Sequence, residues 1–353
     1  MRLSGLSTPA LILDVNLLKE NAQTMDRILE GTGLKLRPHY KSHKCAAIAK
    51  WQVSNGAVGM TCAKLSEAED LCDSGIDDIL IANQITDPVK IRRVADLAGN
   101  CRLTICVDNK ENVRALSEVA QASGTTIHCL VEYEIGMKRC GVTTTEEVLA
   151  LAQEILASDG LVFDGIQAYA GHVSHVQELA VRQAMTAENH DRLKELLAFL
   201  EQSGIRVKTV SGGSTGTTEI KAMSGLYTEL QAGSYLFMDA TYRLLDLPFR
   251  NSLFLLTTVV SSREDVTVLD AGVKTCGVDQ GMPQLVEGTA DAIGASEEHF
   301  QVYGWDRTVS PAQRVRLIPG HCCTTVNLHD NIYLVDGDRV VDRIPITARR
   351  IGR

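Results

Sequence analysis

Four clusters in this 353-residue chain carry side chains suited to covalent, anion-binding or metal chemistry. The first is Arg37-Pro38-His39-Tyr40-Lys41-Ser42-His43-Lys44. A lysine attacks a carbonyl only as the neutral amine, and the like charge of Lys44, His39 and His43 is expected to depress the pKa of Lys41 toward that form. An arbitrary lysine in such a run is a solvated turn; Lys41 is set apart by its place at the C-terminal end of the first expected barrel strand, where barrel enzymes place reactive groups. The second cluster, Ser211-Gly212-Gly213-Ser214-Thr215-Gly216-Thr217, has glycines that let backbone N–H groups converge on an anion and hydroxyls that add donors. A glycine-rich turn alone is weak evidence, and Gln231-Ala232-Gly233-Ser234-Tyr235 supplies a neighbouring turn of the same kind. Between them, Glu132 to Gly141 and Gln167 to His172 put Arg139 and Tyr169 at strand ends. Their plain readings are a surface charge and a core aromatic with its hydroxyl at the rim. In the last cluster, Pro319 to Asn327, His321 and Cys323 are two apart, so an extended segment turns both to one side and Cys322 to the other. That pair suits a borderline-soft divalent ion such as Zn²⁺ with water or substrate completing the shell; a buried Cys beside a rim His is the plain alternative. Asp270, Lys274 and His299 stand at strand ends without a resolvable role.

A reactive lysine, an anion cradle, an arginine and a tyrosine on one rim together point to pyridoxal 5′-phosphate, which needs an imine partner, a phosphate anchor, a stacking surface and tuning groups.

Such groups act together only if the chain gathers strand ends on one rim. Short runs rich in Val, Ile and Leu alternate with segments of helical period, the pattern of strand-helix units and a parallel sheet. Eight strands are expected: Leu36 to Tyr40, Val58 to Cys62, Ile79 to Asn83, Leu103 to Asp108, His128 to Tyr133, Val162 to Tyr169, Val207 to Ser211 and Ala232 to Met238. That number favours an α/β fold of the (β/α)8 barrel type over an open doubly wound sheet, and barrels commonly bind phosphate at the loops after strands seven and eight. Leu18, Ala22, Met25 and Leu29 form one helix face, Ser66 with Glu69 and Thr144 with Glu147 read as capping boxes, and Asp87-Pro88 reads as a helix start. After about residue 245, LFLLTTVVSS, VTVLDAGV, RVRLIPGH, IYLVDGDRVV and IPITARR read as strands between Gly, Asp and Pro turns, an antiparallel β domain of roughly 100 residues.

Composition bounds the partners. With 35 Lys+Arg against 44 Asp+Glu the net charge is −9, which argues against a broad nucleic-acid face and for a small-molecule substrate. No apolar run approaches the roughly 18 residues that span a bilayer, and MRLSGLSTPALILDV lacks the parts of a signal peptide, so no membrane partner and a cytoplasmic location are expected. The ten cysteines are too sparse for a disulfide scaffold, and Cys62, Cys106 and Cys129 sit in strand-like runs as small hydrophobes.

In order along nearly the whole chain, TPALILD, RPHYKSHK, GAVGMTCAKLSEAE, CVDN, GMKRCG, SGGSTGT, SGLYTELQAGSYLFMD, DAGVK, SEEH and HCCTTVNLHD resemble the D-threonine aldolase and D-serine dehydratase family of fold-type III pyridoxal-phosphate enzymes, which share the alanine-racemase barrel. The resemblance implies a cofactor-binding barrel over 15–240, with 1–14 and 241–353 forming the β domain that carries the metal site, and a homodimer. It makes Lys41 the Schiff-base lysine, sets Arg139 near the cofactor's phenolic oxygen and Tyr169 beside its ring, and assigns Gly213, Ser214, Thr215, Gly233, Ser234 and Tyr235 to the phosphate. His321 and Cys323 become ligands of a divalent ion (Zn, Mn or Mg) next to the substrate's β-hydroxyl.

The implied substrate is a D-configured 3-hydroxy amino acid. Retro-aldol cleavage gives glycine and an aldehyde; the alternative, D-serine or 3-hydroxy-D-aspartate dehydration, gives a 2-oxo acid and ammonia. An amino-acid racemase and a non-enzymatic carrier of the cofactor are further alternatives. His321-Cys322-Cys323 matches the His-x-Cys of the dehydratases where aldolases carry His-x-Asp, and Ala170 replaces a histidine of the aldolases, leaving His172 or a metal-bound water as the β-hydroxyl base. SGLYTELQAGSYLFMD, DAGVK and TVNLHD are closer to bacterial aldolases, and the reading leans that way.

Overall fold

The structure, a computed structural model, describes residues 1–349. The chain forms two compact units, one of residues 28–41 with 48–233 and the other of 1–27, 42–47 and 234–349, set against the expected boundaries of 15–240 and 1–14 plus 241–353.

The first unit is built on eight parallel strands: β1 Lys35–Leu36, β2 Met60–Cys62, β3 Asp78–Ile81, β4 Arg102–Val107, β5 Ile127–Glu132, β6 Leu161–Gln167, β7 Thr209–Gly212 and β8 Glu229–Leu230. From β2 to β8 each strand pairs with the next, and β8 pairs with β1. The circle closes between β1 and β2, where Val58 N donates to Leu36 O at 2.9 Å, Thr61 N donates to Pro38 O at 2.9 Å and His39 bridges Thr61 in parallel. A parallel barrel buries both faces of its strands, which is why β4 and β5 read as largely apolar runs without a clean alternation; Leu103, Ile105, Cys106, Val107, Cys129 and Val131 are fully buried.

The connecting helices start where local chemistry directs them. Asp87 accepts a hydrogen bond from Val89 N ahead of Pro88–Ala98, and Thr144 with Glu147 closes a reciprocal box on Thr145–Leu156. The Ser66/Glu69 box does not form. That helix spans Leu65–Asp73, so Ser66 lies inside its first turn, and Glu67 reaches back to the N–H groups of Ala63 and Lys64 while Glu69 pairs with Arg93. The eighth strand also departs from expectation, since only Glu229–Leu230 is strand and Ser234–Leu236 is a single 3-10 turn. The apolar run Tyr235 to Met238 owes its character to tertiary packing, with the Tyr235 ring 5.6 Å from that of Phe249.

The second unit holds a nine-stranded sheet. Ala10–Asp14 runs antiparallel to Leu253–Ser262 and parallel to Asn331–Asp336. Its two faces bury separate apolar clusters, one centred on Leu255, Leu269, Phe300 and Leu317, the other on Ile12, Phe254 and Leu256. The helix that follows Asp14 is tied to this unit by the buried Asn21, whose side-chain amide donates to Leu236 O and Arg250 O at 3.1 and 2.7 Å.

Candidate active site

Lys41 sits in the one-turn helix Tyr40–Ser42 that ends the first barrel strand. Its backbone N donates to His39 Nδ1 at 3.3 Å, and the buried Tyr40 before it donates its phenol to Asp70. Three of the expected residues meet on one ring: Lys41 Nζ lies 5.9 Å and Arg139 Cζ 5.7 Å from the centroid of Tyr169. The turn after β6 holds that ring tightly, because a Cβ on Gly171 would fall 2.7 Å from both Tyr169 Cε1 and Met137 Sδ. Arg139 is exposed, on a turn pinned by Glu134, whose carboxylate accepts from Gly136 N and Lys138 N at 2.6 and 2.8 Å. Burial raises the Glu134 carboxyl, but these N–H groups prevail and hold it below its ordinary range. His172 is exposed in Gly171–Val173, with Cε1 and Nε2 2.8 and 2.9 Å from where a Cβ on Gly136 would stand.

The glycine-rich turn follows β7. Gly213 has φ +82°, and a Cβ there would meet Leu230 Cδ1 at 2.6 Å and Lys221 Cδ at 2.8 Å, so the position demands glycine on both counts. Ser214 N donates to Thr217 Oγ1 at 3.1 Å, Ser174 Oγ donates to Ser214 Oγ at 2.8 Å, and the buried Thr215 hydroxyl has no partner among the described residues. Gln231 N donates to Gly212 O at 2.9 Å, which sets the Gly233 turn alongside. Ser234 and Tyr235 begin the other unit, both buried. There the Ser234 hydroxyl lies 3.8 Å from Cys323 Sγ.

His321 and Cys323 do not lie in an extended segment: His321 precedes the short helix Cys322–Val326 as its cap. The helical turn still brings imidazole and thiol into hydrogen-bond contact. Asp279 stands behind the imidazole, its Oδ2 accepting from His321 Nδ1 at 2.7 Å and its Oδ1 from Thr324 Oγ1 at 2.6 Å. Burial pulls the imidazole pKa down, yet Cys323 and Asp279 outweigh it and raise it to about 9. Cys322 is the inert member, fully buried, its N donating to Asp239 Oδ2 at 3.0 Å; the bond with Cys323 and then burial push its thiol up. Among the described residues no group of three or more His, Cys, Asp or Glu side chains is placed to hold a metal ion.

Three features escaped sequence reasoning. Asp279 is 42 residues from His321 and carried no local signal. Glu132, at the end of β5, is buried, its carboxyl raised by that burial despite the bond from Gln84 Nε2 and the charge of Arg139. Lys221, Tyr227 and His190 form a buried ionisable cluster beside the glycine-rich turn, and none of the three stood out in the sequence.

A closed parallel barrel with a lysine, an arginine and a tyrosine at its strand ends, in a chain that also carries an antiparallel sheet, is the architecture of the alanine racemase group. Residues 13–241 match the family described as "Alanine racemase, N-terminal domain" and residues 252–335 that described as "Putative serine dehydratase domain". The chain belongs to this family of pyridoxal-phosphate-dependent lyases. It is 39% identical to the 3-hydroxy-D-aspartate aldolase of Paracoccus denitrificans, over 99% of this chain and 94% of the relative. The crystal structure of D-threonine aldolase from Filomicrobium marinum superposes with a TM-score of 0.97 at 36% identity, covering 100% of this chain and 98% of that one. The D-threo-3-hydroxyaspartate dehydratase of Delftia is more distant, 25% identical over 91% of this chain and 92% of the relative. Among the described residues no helix is long and apolar enough to cross a membrane.

Proposed function

We propose that this chain is a pyridoxal-phosphate- and metal-dependent aldolase that cleaves D-configured 3-hydroxy amino acids, of the D-threonine or 3-hydroxy-D-aspartate kind, to glycine and an aldehyde. The observation that carries the reading is the convergence of Lys41 and Arg139 on the Tyr169 ring within a barrel whose glycine-rich turn leaves the Thr215 hydroxyl without a partner among the described residues. These residues suit the cofactor: Lys41 as its covalent partner, Arg139 for the phenolic oxygen, Tyr169 for the ring face, and Gly213, Ser214, Thr215, Gly233, Ser234 and Tyr235 for the phosphate. Pyridoxal phosphate, when bound, supplies the electron sink for the bond that breaks at Cα.

His321 and Cys323 suit a divalent ion. An imidazole and a thiolate favour zinc over the harder manganese or magnesium, and the carboxylate of Asp279 behind the imidazole is the usual second-layer support. The ion's contribution is Lewis-acid polarisation of the substrate hydroxyl. His172, exposed on the turn after Tyr169, is the side chain proposed to hold the hydroxyl proton. The His-x-Cys pair favours the second reading, dehydration to a 2-oxo acid and ammonia, whereas the higher identity to aldolases along the whole chain supports cleavage. Ten free cysteines agree with a reducing, cytoplasmic setting, and the family resemblance supports a homodimer.

Product analysis on D-threonine, 3-hydroxy-D-aspartate and D-serine, with and without chelator, decides the matter. Glycine that disappears with chelator is expected. A 2-oxo acid with ammonia would establish the dehydratase, the L-isomer a racemase, and no turnover a carrier.

A further inference from the structure

Beside the Gly212 to Thr215 turn lies a lysine that no step above uses. Lys221 belongs to the five-residue helix Thr218–Ala222 that continues the turn, and it is 1% exposed. Its stem packs directly behind Gly213, where an added Cβ would meet Lys221 Cδ at 2.8 Å and Cε at 3.6 Å. Its Nζ has no hydrogen-bond partner among the described residues and rests 3.9 Å from the centroid of the Tyr227 ring. The Tyr227 hydroxyl donates to Ala168 O at 3.2 Å, and the ring of His190 lies 5.9 Å from that of Tyr227. The groups facing the amine are therefore a phenol kept protonated by burial and an imidazole held near 4, first by burial and then by the charge of Lys221 itself; Lys194 and Asp191 act on that imidazole from farther out. Among the described residues no carboxylate compensates the ammonium, and an unpaired buried charge is unfavourable.

We propose that Lys221 is a positioning residue whose ammonium is the counter-charge for a phosphate group seated on the Gly212 to Thr215 turn, acting through the turn without touching the ligand. This rests on the cofactor reading above and extends it to a residue outside the motif. Two buried donors of this segment, the Thr215 hydroxyl and the Lys221 ammonium, have no hydrogen-bond partner among the described residues; an anion on the turn takes the bond of the hydroxyl and balances the charge of the ammonium. Burial alone lowers the amine to about 7, so near neutrality the folded chain holds it about half protonated, and a neighbouring dianion draws the proton back on.

The test compares pyridoxal 5′-phosphate with pyridoxal, which lacks the phosphate, by absorbance titration of the full chain freed of cofactor. In the unaltered protein the preference for the phosphorylated form is expected to fall between about pH 7 and about pH 9, as the amine loses its proton. In Lys221→Met, which keeps the stem, affinity for pyridoxal 5′-phosphate falls about tenfold at neutral pH, affinity for pyridoxal holds, and the pH dependence of the preference is lost. A preference independent of pH in the unaltered protein, or a variant that loses both ligands equally, overturns the inference. If the unaltered chain binds neither aldehyde, the cofactor reading itself fails, a result distinct from the other two.

Discussion

His321 donates its Nδ1–H to Asp279 Oδ2 across 2.7 Å, a bond that orients the ring and leaves Nε2 as the nitrogen a metal would take on displacing its proton. Asp279→Asn is expected to weaken zinc binding by roughly 10- to 100-fold while leaving the cofactor spectrum intact. Zinc titration of the metal-free protein measures this, and an affinity equal to the parent's would remove Asp279 from the account.

Lys41→Ala is expected to abolish the visible absorbance of the bound cofactor and all turnover, because no other amine stands over the Tyr169 ring among the described residues. An unchanged spectrum in the purified variant refutes the assignment.

Cys323→Ala is expected to lose metal and activity yet retain cofactor, since thiol and lysine belong to different compact units. Metal content and absorbance of the same sample settle it; full activity in metal-free buffer speaks against the ligand role.

Lys221 makes stability depend on pH. Burial lowers the amine from 10.5 to about 7, so between these values the unfolded chain holds a proton the folded chain has released, and stability rises with pH across that window. The penalty is fully present below about pH 7 and is on the order of a few kcal/mol. Without cofactor, Lys221→Met should therefore be more stable than the parent at neutral pH, with the difference shrinking toward pH 10. Denaturant titration at both pH values checks this, and a variant no more stable at neutral pH contradicts it.

Much of the barrel is legible in the chain because strands buried on both faces appear as short, largely apolar runs, and the glycine-rich turn was correctly set after the seventh of them. The eighth strand was misplaced because it is two residues long, while the run Tyr235 to Met238 is apolar for packing against Phe249. His321 and Cys323 were paired on a wholly extended segment; only His321 is extended, and they meet because it caps the short helix whose first turn carries Cys323. Asp279 and Lys221 were out of reach for a common reason: the partner of one and the isolation of the other are set by tertiary contacts that no local spacing encodes.

The join that completes the barrel is its slightest, a two-residue strand helped by the His39 bridge to Thr61, and the amine at position 41 stands just beyond it. Breathing of the cylinder should begin at this seam and carry the amine along, so any molecule tethered there works as a clasp. Amide exchange at Val58 and Thr61 would slow on tethering more than exchange at β4 or β5, coupling occupancy of the rim to the integrity of the whole ring.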